Sequence, residues 1–360
     1  MKELVLLIKP ASGLCNMRCE YCFYHDELKK SSDIAQPMKL MSLQTLEQIV
    51  KRAFETAENK CSFIFQGGEP TLQGIEFYEE FERFLSAYNL KGIEVERFIQ
   101  TNGAEITDAH AEFFLKNSYY VGVSIDGERD QHDRYRRFPD GKGTHSNVVE
   151  GISLLLDYGA DVSALVTVTE NNASSGAELY RYIRSIGLSK IQFTKYISTD
   201  SDICLTAEGW ARFLKSVFWE YLKDISKSAG VSVREFDDLI RRCSGKRSEI
   251  CGGDGICRYA LTIESDGSVY PCDFYVSGEY RLGNVFEDSF ESIYADKKLR
   301  SFSERSALLP DECKKCEFRG LCGNGCYRYR DESGKYLYCE SYKEFFKFAE
   351  PYFKRLSMLI

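Results

Sequence analysis

Six short runs of apolar, largely β-branched or aromatic residues mark out the first half of the chain, at 4–8, 62–65, 95–101, 119–124, 162–168 and 190–196. Each reads as a buried strand. Between them apolar residues recur at the helical period, most plainly at Leu43, Leu46, Ile49, Val50, Ala53 and Phe54, with Ser42 placed to cap that helix. Regular alternation of strand and helix predicts a parallel sheet. Periodicity leaves a doubly wound sheet and a curled, partial barrel both open, and six strands are too few for a closed eight-stranded barrel. Either architecture puts reactive groups at the carboxyl ends of the strands.

Beyond the sixth run, residues 206–229 carry a helical stripe of Trp210, Phe213, Leu214, Val217 and Phe218, expected as a bridge to a second domain. Residues 261–270 read as a hairpin turning at Asp266-Gly267. A last helix follows Cys339, with Ser341 and Glu344 expected as its capping box and Tyr342, Phe345, Phe346 and Ala349 on its apolar face. The chain shows no internal repeat and no low-complexity linker, and the expected boundary follows the bridging helix, dividing the chain into domains 1–230 and 231–360.

At 360 residues and 43% hydrophobic the chain can fill a substantial core. A formal charge of -8 argues against nucleic acid as the main partner and leaves a peptide or small molecule. No stretch approaches the roughly 18 apolar residues that span a bilayer. The apolar run near the start is too short for a secretory segment, so the expectation is a cytoplasmic protein without membrane partners. There, fourteen cysteines read as metal ligands rather than disulfides.

Their spacing is the strongest chemical signal. Cys15, Cys19 and Cys22 follow the first strand and can wrap three thiolates around one inorganic centre, leaving one position open for chemistry. Zinc is the alternative. After the second strand comes Gln66-Gly67-Gly68-Glu69-Pro70, either a backbone cradle for a ligand or an ordinary turn. Ser124 and Arg136 offer a hydroxyl and a guanidinium suited to ribose and carboxylate oxygens. Asn102 and Asp126 serve turns at least as well, and His132 reads as structural. Eight further cysteines, Cys251, Cys257, Cys272, Cys313, Cys316, Cys322, Cys326 and Cys339, make two sets of four, compatible with zinc or with iron and sulfur. Cys61, Cys204 and Cys243 read as buried small hydrophobes.

The cysteine triplet with Tyr21 before its last member, followed by the Gly-Gly-Glu-Pro turn, resembles the radical S-adenosylmethionine (SAM) superfamily. The later cysteines resemble its SPASM extension. That resemblance implies an α/β fold, a partial (β/α)6 TIM-like barrel followed by a cysteine-rich SPASM domain, with three 4Fe-4S clusters and SAM as cofactors. It implies cofactor contacts from Tyr21, Gln66, Gly67, Gly68, Glu69, Ser124 and Arg136, with Gly67, Gly68 and Glu69 at the methionyl amino group. It assigns Cys15, Cys19 and Cys22 to the SAM cluster. One auxiliary cluster takes Cys251, Cys257, Cys272 and Cys326, and the other Cys313, Cys316, Cys322 and Cys339.

Residues 7–12, Cys22-Phe-Tyr24-His25, the stretch 65–70 and Tyr270-Pro-Cys-Asp273-Phe-Tyr275 together resemble the anaerobic sulfatase-maturating enzymes over nearly the full chain. Such enzymes oxidise a cysteine or serine of a sulfatase-type polypeptide to Cα-formylglycine: a 5'-deoxyadenosyl radical takes a Cβ hydrogen, and a base takes the thiol or hydroxyl proton. The resemblance places that base at Asp273, whose alternative is a cap on a loop, and implies a flavodoxin or ferredoxin type electron donor. Residues 192–202, Gln192 to Ile197 and the polar Ser198 to Asp202, lack the proline and acidic features of the family pattern, which keeps a second reading open: a radical SAM maturase forming a thioether or carbon-carbon crosslink in a ribosomally made peptide.

Overall fold

A computed structural model of the chain describes residues 3–24, 38–198, 202–257 and 260–358. His25 and residues 199–201, used in the sequence comparison, lie outside the described residues. The strands are β1 (Glu3–Ile8), β2 (Lys60–Phe65), β3 (Glu94–Thr101), β4 (Tyr119–Ser124), β5 (Asp161–Val168), β6 (Lys190–Lys195), β7 (Ser232–Val233), β8 (Ala260–Ile263), β9 (Ser268–Tyr270) and β10 (Gly283–Asn284). The helices of nine residues or more are α1 (Leu43–Thr56), α2 (Ile75–Tyr88), α3 (Asp108–Lys116), α4 (His145–Asp157), α5 (Gly176–Ser185), α6 (Ala207–Ser226), α7 (Arg234–Cys243), α8 (Lys297–Ala307) and α9 (Cys339–Ser357). All six expected strands form. So does the Ser42 cap, whose hydroxyl accepts from Thr45 N at 3.1 Å.

Two compact units divide the chain. The first comprises Met1–Ser124, Asp133–Val162 and Arg258–Phe302. Its strands run in the order β10-β9-β8-β1-β2-β3-β4, parallel from β8 to β4 and antiparallel from β8 to β10. Register aligns the strand ends: Ile8 pairs with Phe65 and with Ile263, Phe65 with Ile99, and Thr101 with Val123. The residues that follow these strands, Lys9, Gln66, Asn102 and Glu264, are therefore delivered to one edge. Behind the sheet α1 buries Leu46, Ile49, Val50, Ala53 and Phe54. Phe63 and Phe65 pack edge-to-face on Phe81 and Tyr78 does so on Phe65, and each ring so buried stabilises the fold by about 1.5–3 kcal/mol.

The second unit comprises Ile125–His132, Ser163–Cys257 and Ser303–Ile360. Here β5, β6 and β7 are parallel neighbours. The expected helix after residue 206 is α6, capped by the Thr206 hydroxyl. Phe218 of α6, Phe236 of α7 and Phe345 and Phe353 of α9 form an aromatic core.

Three expectations need correction. The strands are not all buried on both sides: along β5, Val162, Ala164, Val166 and Val168 are buried while Ser163, Leu165 and Thr167 are half-exposed. A one-sided strand is what a sheet with an open interior face needs. Ser341 and Glu344 form no capping box, because α9 starts three residues earlier, with Tyr338 as its N-cap and Cys339 as its first residue. The Ser341 hydroxyl donates to Tyr338 O, and Glu344 pairs with Lys215 at 2.6 Å. Of the leftover cysteines Cys61 is buried, whereas Cys204 and Cys243 are only partly so.

Candidate functional site

The cysteine triplet lies in the loop after β1, with all three thiols half-buried. Burial pushes the Cys15 thiol up to about 12, so a thiolate there requires a bound cation or cluster to displace its proton. Backbone hydrogen bonds fasten this loop on two sides. Arg18 N donates to Arg137 O at 2.7 Å and Glu20 N to Tyr135 O at 2.9 Å, and the Arg136 guanidinium lies 5.3 Å from the centre of the buried Tyr21 ring. On the other side Glu69 N donates to Leu14 O at 2.8 Å. The approach is so close that a β-carbon on Gly68, whose φ is +54°, would fall 2.0 Å from Leu14 O. Glycine is required there by space as well as by backbone angle.

Glu69 is the hub. Its carboxylate is fully buried and accepts from Thr71 N (3.0 Å), Thr71 Oγ1 (2.8 Å), Thr101 Oγ1 (2.7 Å) and Asn102 N (2.7 Å). Three of those donors meet Oε1 and one meets Oε2, which pins the carboxylate to the turn. Asn102 does more than hold its turn: Oδ1 accepts from Ala104 N, while Nδ2 donates to Asn16 Oδ1 at 2.7 Å and approaches Cys15 Sγ at 3.7 Å. Gln66 N bonds Ile8 O at 2.9 Å, and Ser124 sits half-exposed at the end of β4. In the second unit His132 is fully buried and its Nδ1 accepts from Asp126 N, a structural role as expected.

A second buried cluster stands at the same strand edge. Lys9 Nζ lies 2.5 Å from Glu264 and 3.5 Å from Asp273, and 4.4 Å from the Tyr24 ring centre. The Tyr24 hydroxyl donates to Asp273 Oδ2 at 2.8 Å. Burial raises the Asp273 carboxyl above the ordinary carboxylate range, against the pull of Lys9 and of the Tyr24 hydroxyl. For Lys9 burial works downward and is outweighed by the two carboxylates, so it stays charged. One cation faces two carboxylates, and Asp273 can take a proton without leaving Lys9 unpaired.

The later cysteines divide between the units. Cys272 follows β9 in the first. In the second, Cys313, Cys316, Cys322 and Cys339 line one cavity with Phe318, Tyr336 and Phe346, and burial pushes the Cys322 thiol up to about 11. A zinc ion would draw four sulfurs to within about 3.8 Å of each other, given a Zn–S bond of ~2.3 Å. Among the described residues no three His, Cys, Asp or Glu converge in that way. Four thiols lining one apolar cavity are a ligand set that an iron-sulfur cluster or a single metal ion can use. The loop carrying Cys251 and Cys257 packs against the one carrying Cys326: a β-carbon on Gly252 would meet Cys326 Cβ at 3.0 Å.

Lys9, Tyr24, Glu264, Asn16 and Thr101 were given no site role from the sequence, Lys9 and Tyr24 entering only within the motifs that carry the resemblance. Lys9 carried a usable signal, a lysine closing an apolar strand; Glu264 carried none, because its place depends on β8 lying beside β1.

Comparison with known proteins agrees with this arrangement. Residues 10–183 match the Radical SAM superfamily and residues 251–317 the SPASM iron-sulfur cluster-binding domain. The chain is 38% identical to a cysteine-type anaerobic sulfatase-maturating enzyme of Clostridium novyi, covering 96% of this chain and 95% of that one. It is 28% identical to a serine-type anaerobic sulfatase-maturating enzyme of Bacteroides thetaiotaomicron, over 98% and 90% of the two chains. Among solved structures, native anSMEcpe with bound AdoMet and Cp18Cys peptide superposes with a TM-score of 0.93 at 35% identity over the whole of both chains. The fold is thus α/β, a partial (β/α)6 barrel followed by a SPASM domain, as expected.

Proposed function

Because the chain belongs to the anaerobic sulfatase-maturating enzymes of the radical SAM superfamily, we propose that it oxidises a cysteine in a sulfatase-type peptide to Cα-formylglycine. Cysteine is preferred to serine as the target because identity is higher to the cysteine-type relatives, 38% and 37%, than to the serine-type ones at 28%. The observation that carries the reading is the buried Asp273 carboxylate, held between Lys9 and the Tyr24 hydroxyl in the same unit as the three-cysteine loop.

Cys15, Cys19 and Cys22 hold the SAM cluster in this reading. Cys313, Cys316, Cys322 and Cys339 hold one auxiliary cluster, and Cys251, Cys257 and Cys326, with Cys272 assigned by motif, hold the other. When bound, these groups supply a hydrogen-abstracting 5'-deoxyadenosyl radical and an acceptor for the second electron. The chain's own residues do the rest. Gly67, Gly68 and Glu69, with Tyr21, Gln66, Ser124 and Arg136, seat the nucleotide. Asp273 accepts the thiol proton while a hydrogen leaves Cβ, so the side chain loses two electrons and two protons and becomes a thioaldehyde. Water then replaces sulfur, releasing hydrogen sulfide. A flavodoxin or ferredoxin type protein supplies electrons, and the cytoplasm is the compartment. Among the described residues no helix is long and apolar enough to cross a membrane.

The test is to incubate anaerobically reconstituted protein with SAM, dithionite and a peptide containing Cys-x-Pro-x-Arg, and to weigh the product. Formylglycine lowers the mass by about 18 daltons and a crosslink by about two. Deoxyadenosine release with an unchanged peptide would favour the crosslinking maturase.

A further inference from the structure

Arg330 is half-buried in the second unit, and all five of its N–H donors are used on backbone carbonyls. Nε donates to Asn324 O at 3.0 Å; Nη1 to Ser306 O at 2.6 Å and Leu308 O at 3.3 Å; Nη2 to Gly255 O at 2.7 Å and Gly325 O at 3.1 Å. Gly255 is two residues before Cys257, and Gly325 immediately precedes Cys326. Ser306 closes the arrangement, being fully buried and accepting from Cys257 N at 2.8 Å. The loops press so tightly that a β-carbon on Gly255 would sit 1.6 Å from Gly323 O and 3.2 Å from Arg330 Nη2. A rigid planar fork is the side chain able to satisfy this many carbonyls at once, where a lysine offers three donors from a single point.

Among the described residues Arg330 forms no ion pair with Asp or Glu; burial lowers its guanidinium from the ordinary value, and the first groups that work the other way are the Cys257 and Cys326 side chains. A guanidinium held by neutral carbonyls is an uncompensated charge unless an anion occupies the space beside it, and four thiolates around a cluster carry net negative charge that grows on reduction.

We infer that Arg330 is a positioning residue of the auxiliary cluster held by Cys257 and Cys326: it clamps the two ligand loops together, and its charge raises that cluster's reduction potential. The inference rests on the ligand assignment proposed above, and a cysteine variant separates the two. C257A in the reconstituted full chain loses about four of about twelve irons; a full iron complement would refute the assignment whatever Arg330 does. The inference itself is tested by redox titration of the C257A-sensitive electron paramagnetic signal, and by the rate at which a chelator removes iron, in R330Q and R330K. R330Q shifts the midpoint of that signal to lower potential. R330K keeps the charge but loses the fork, so it holds its midpoint closer to that of the unaltered chain while releasing iron about tenfold faster, the effect of losing some 1.4 kcal/mol of hydrogen bonding. An unmoved midpoint in R330Q overturns the electrostatic part. If R330Q takes up no cluster there or fails to fold, R330K decides, and iron release at the original rate overturns the clamp.

Discussion

Lys9 Nζ lies 3.5 Å from Asp273 Oδ1, and the two side chains are 5% and 10% exposed. They are brought together by the pairing of β8 with β1, which sets Lys9 beside Glu264, and by the β8–β9 hairpin, which returns the chain toward Asp273. K9M removes the cation that holds Oδ1 and leaves two buried carboxylates without their partner. Formation of the oxidised peptide is expected to fall about 100-fold or more, the usual worth of a placed acid–base group. Deoxyadenosine release without peptide should fall far less, and K9R should recover part of the peptide reaction. Equal loss of both reactions in K9M would refute a role for Lys9 at Asp273.

Glu69→Gln replaces two acceptor oxygens by one and turns an amide NH2 toward groups that are themselves donors. Thr101 Oγ1 and Thr71 Oγ1 can turn away, but Asn102 N and Thr71 N cannot. The expected cost is about 1–3 kcal/mol, seen as a lower unfolding midpoint and weaker iron retention by the Cys15–Cys22 loop, which is tied to the same turn through Leu14.

That carboxylate also marks the limit of what the sequence reveals. The Gly-Gly-Glu-Pro turn was legible as a unit, and so were the six strands and the Ser42 cap, because local period and local polarity determine them. Glu69 turns inward because Thr101 and Asn102 wait at the end of a different strand, and a linear pattern does not carry that information. The Ser341–Glu344 pattern failed for a related reason. Tertiary packing carries α9 back to Cys339, so both residues lie inside the helix, and Glu344 finds Lys215 on α6. The choice between an open sheet and a partial barrel depended on curvature, which periodicity does not encode.

Glu235 supplies a pH test. Its Oε1 accepts from Phe193 N at 3.1 Å, and its Oε2 is buried without a hydrogen-bond partner. Burial raises its carboxyl from 4.5 to about 7, against the pull of Lys195 and Arg234. The folded state therefore binds a proton more tightly than the unfolded chain. Stability falls as pH rises from about 4.5 to 7 and levels off above, a loss of roughly 3 kcal/mol at most. E235Q removes this dependence, so its unfolding midpoint should gain on that of the unaltered chain between pH 5.5 and 7.5 and stay parallel beyond. A constant difference across that range would show that Glu235 does not titrate there.

The cavity lined by Cys313, Cys316, Cys322 and Cys339 predicts an all-or-none loss. C316A should lower the iron content of the reconstituted protein by about four and leave the other clusters in place. Zinc bound in place of that iron, measured by elemental analysis of the same preparation, would contradict the cluster assignment.

Insertion of β8 beside β1 also has a consequence for biosynthesis. Half of the first strand's hydrogen-bonding edge waits for residues 260–263, which leave the ribosome only after most of the polypeptide has been made. Until then the nascent chain displays an unmated, apolar border of the kind that recruits other strands. Cells making this protein must shield that border, and a fragment truncated before residue 260 should be insoluble even though it keeps the whole three-cysteine loop.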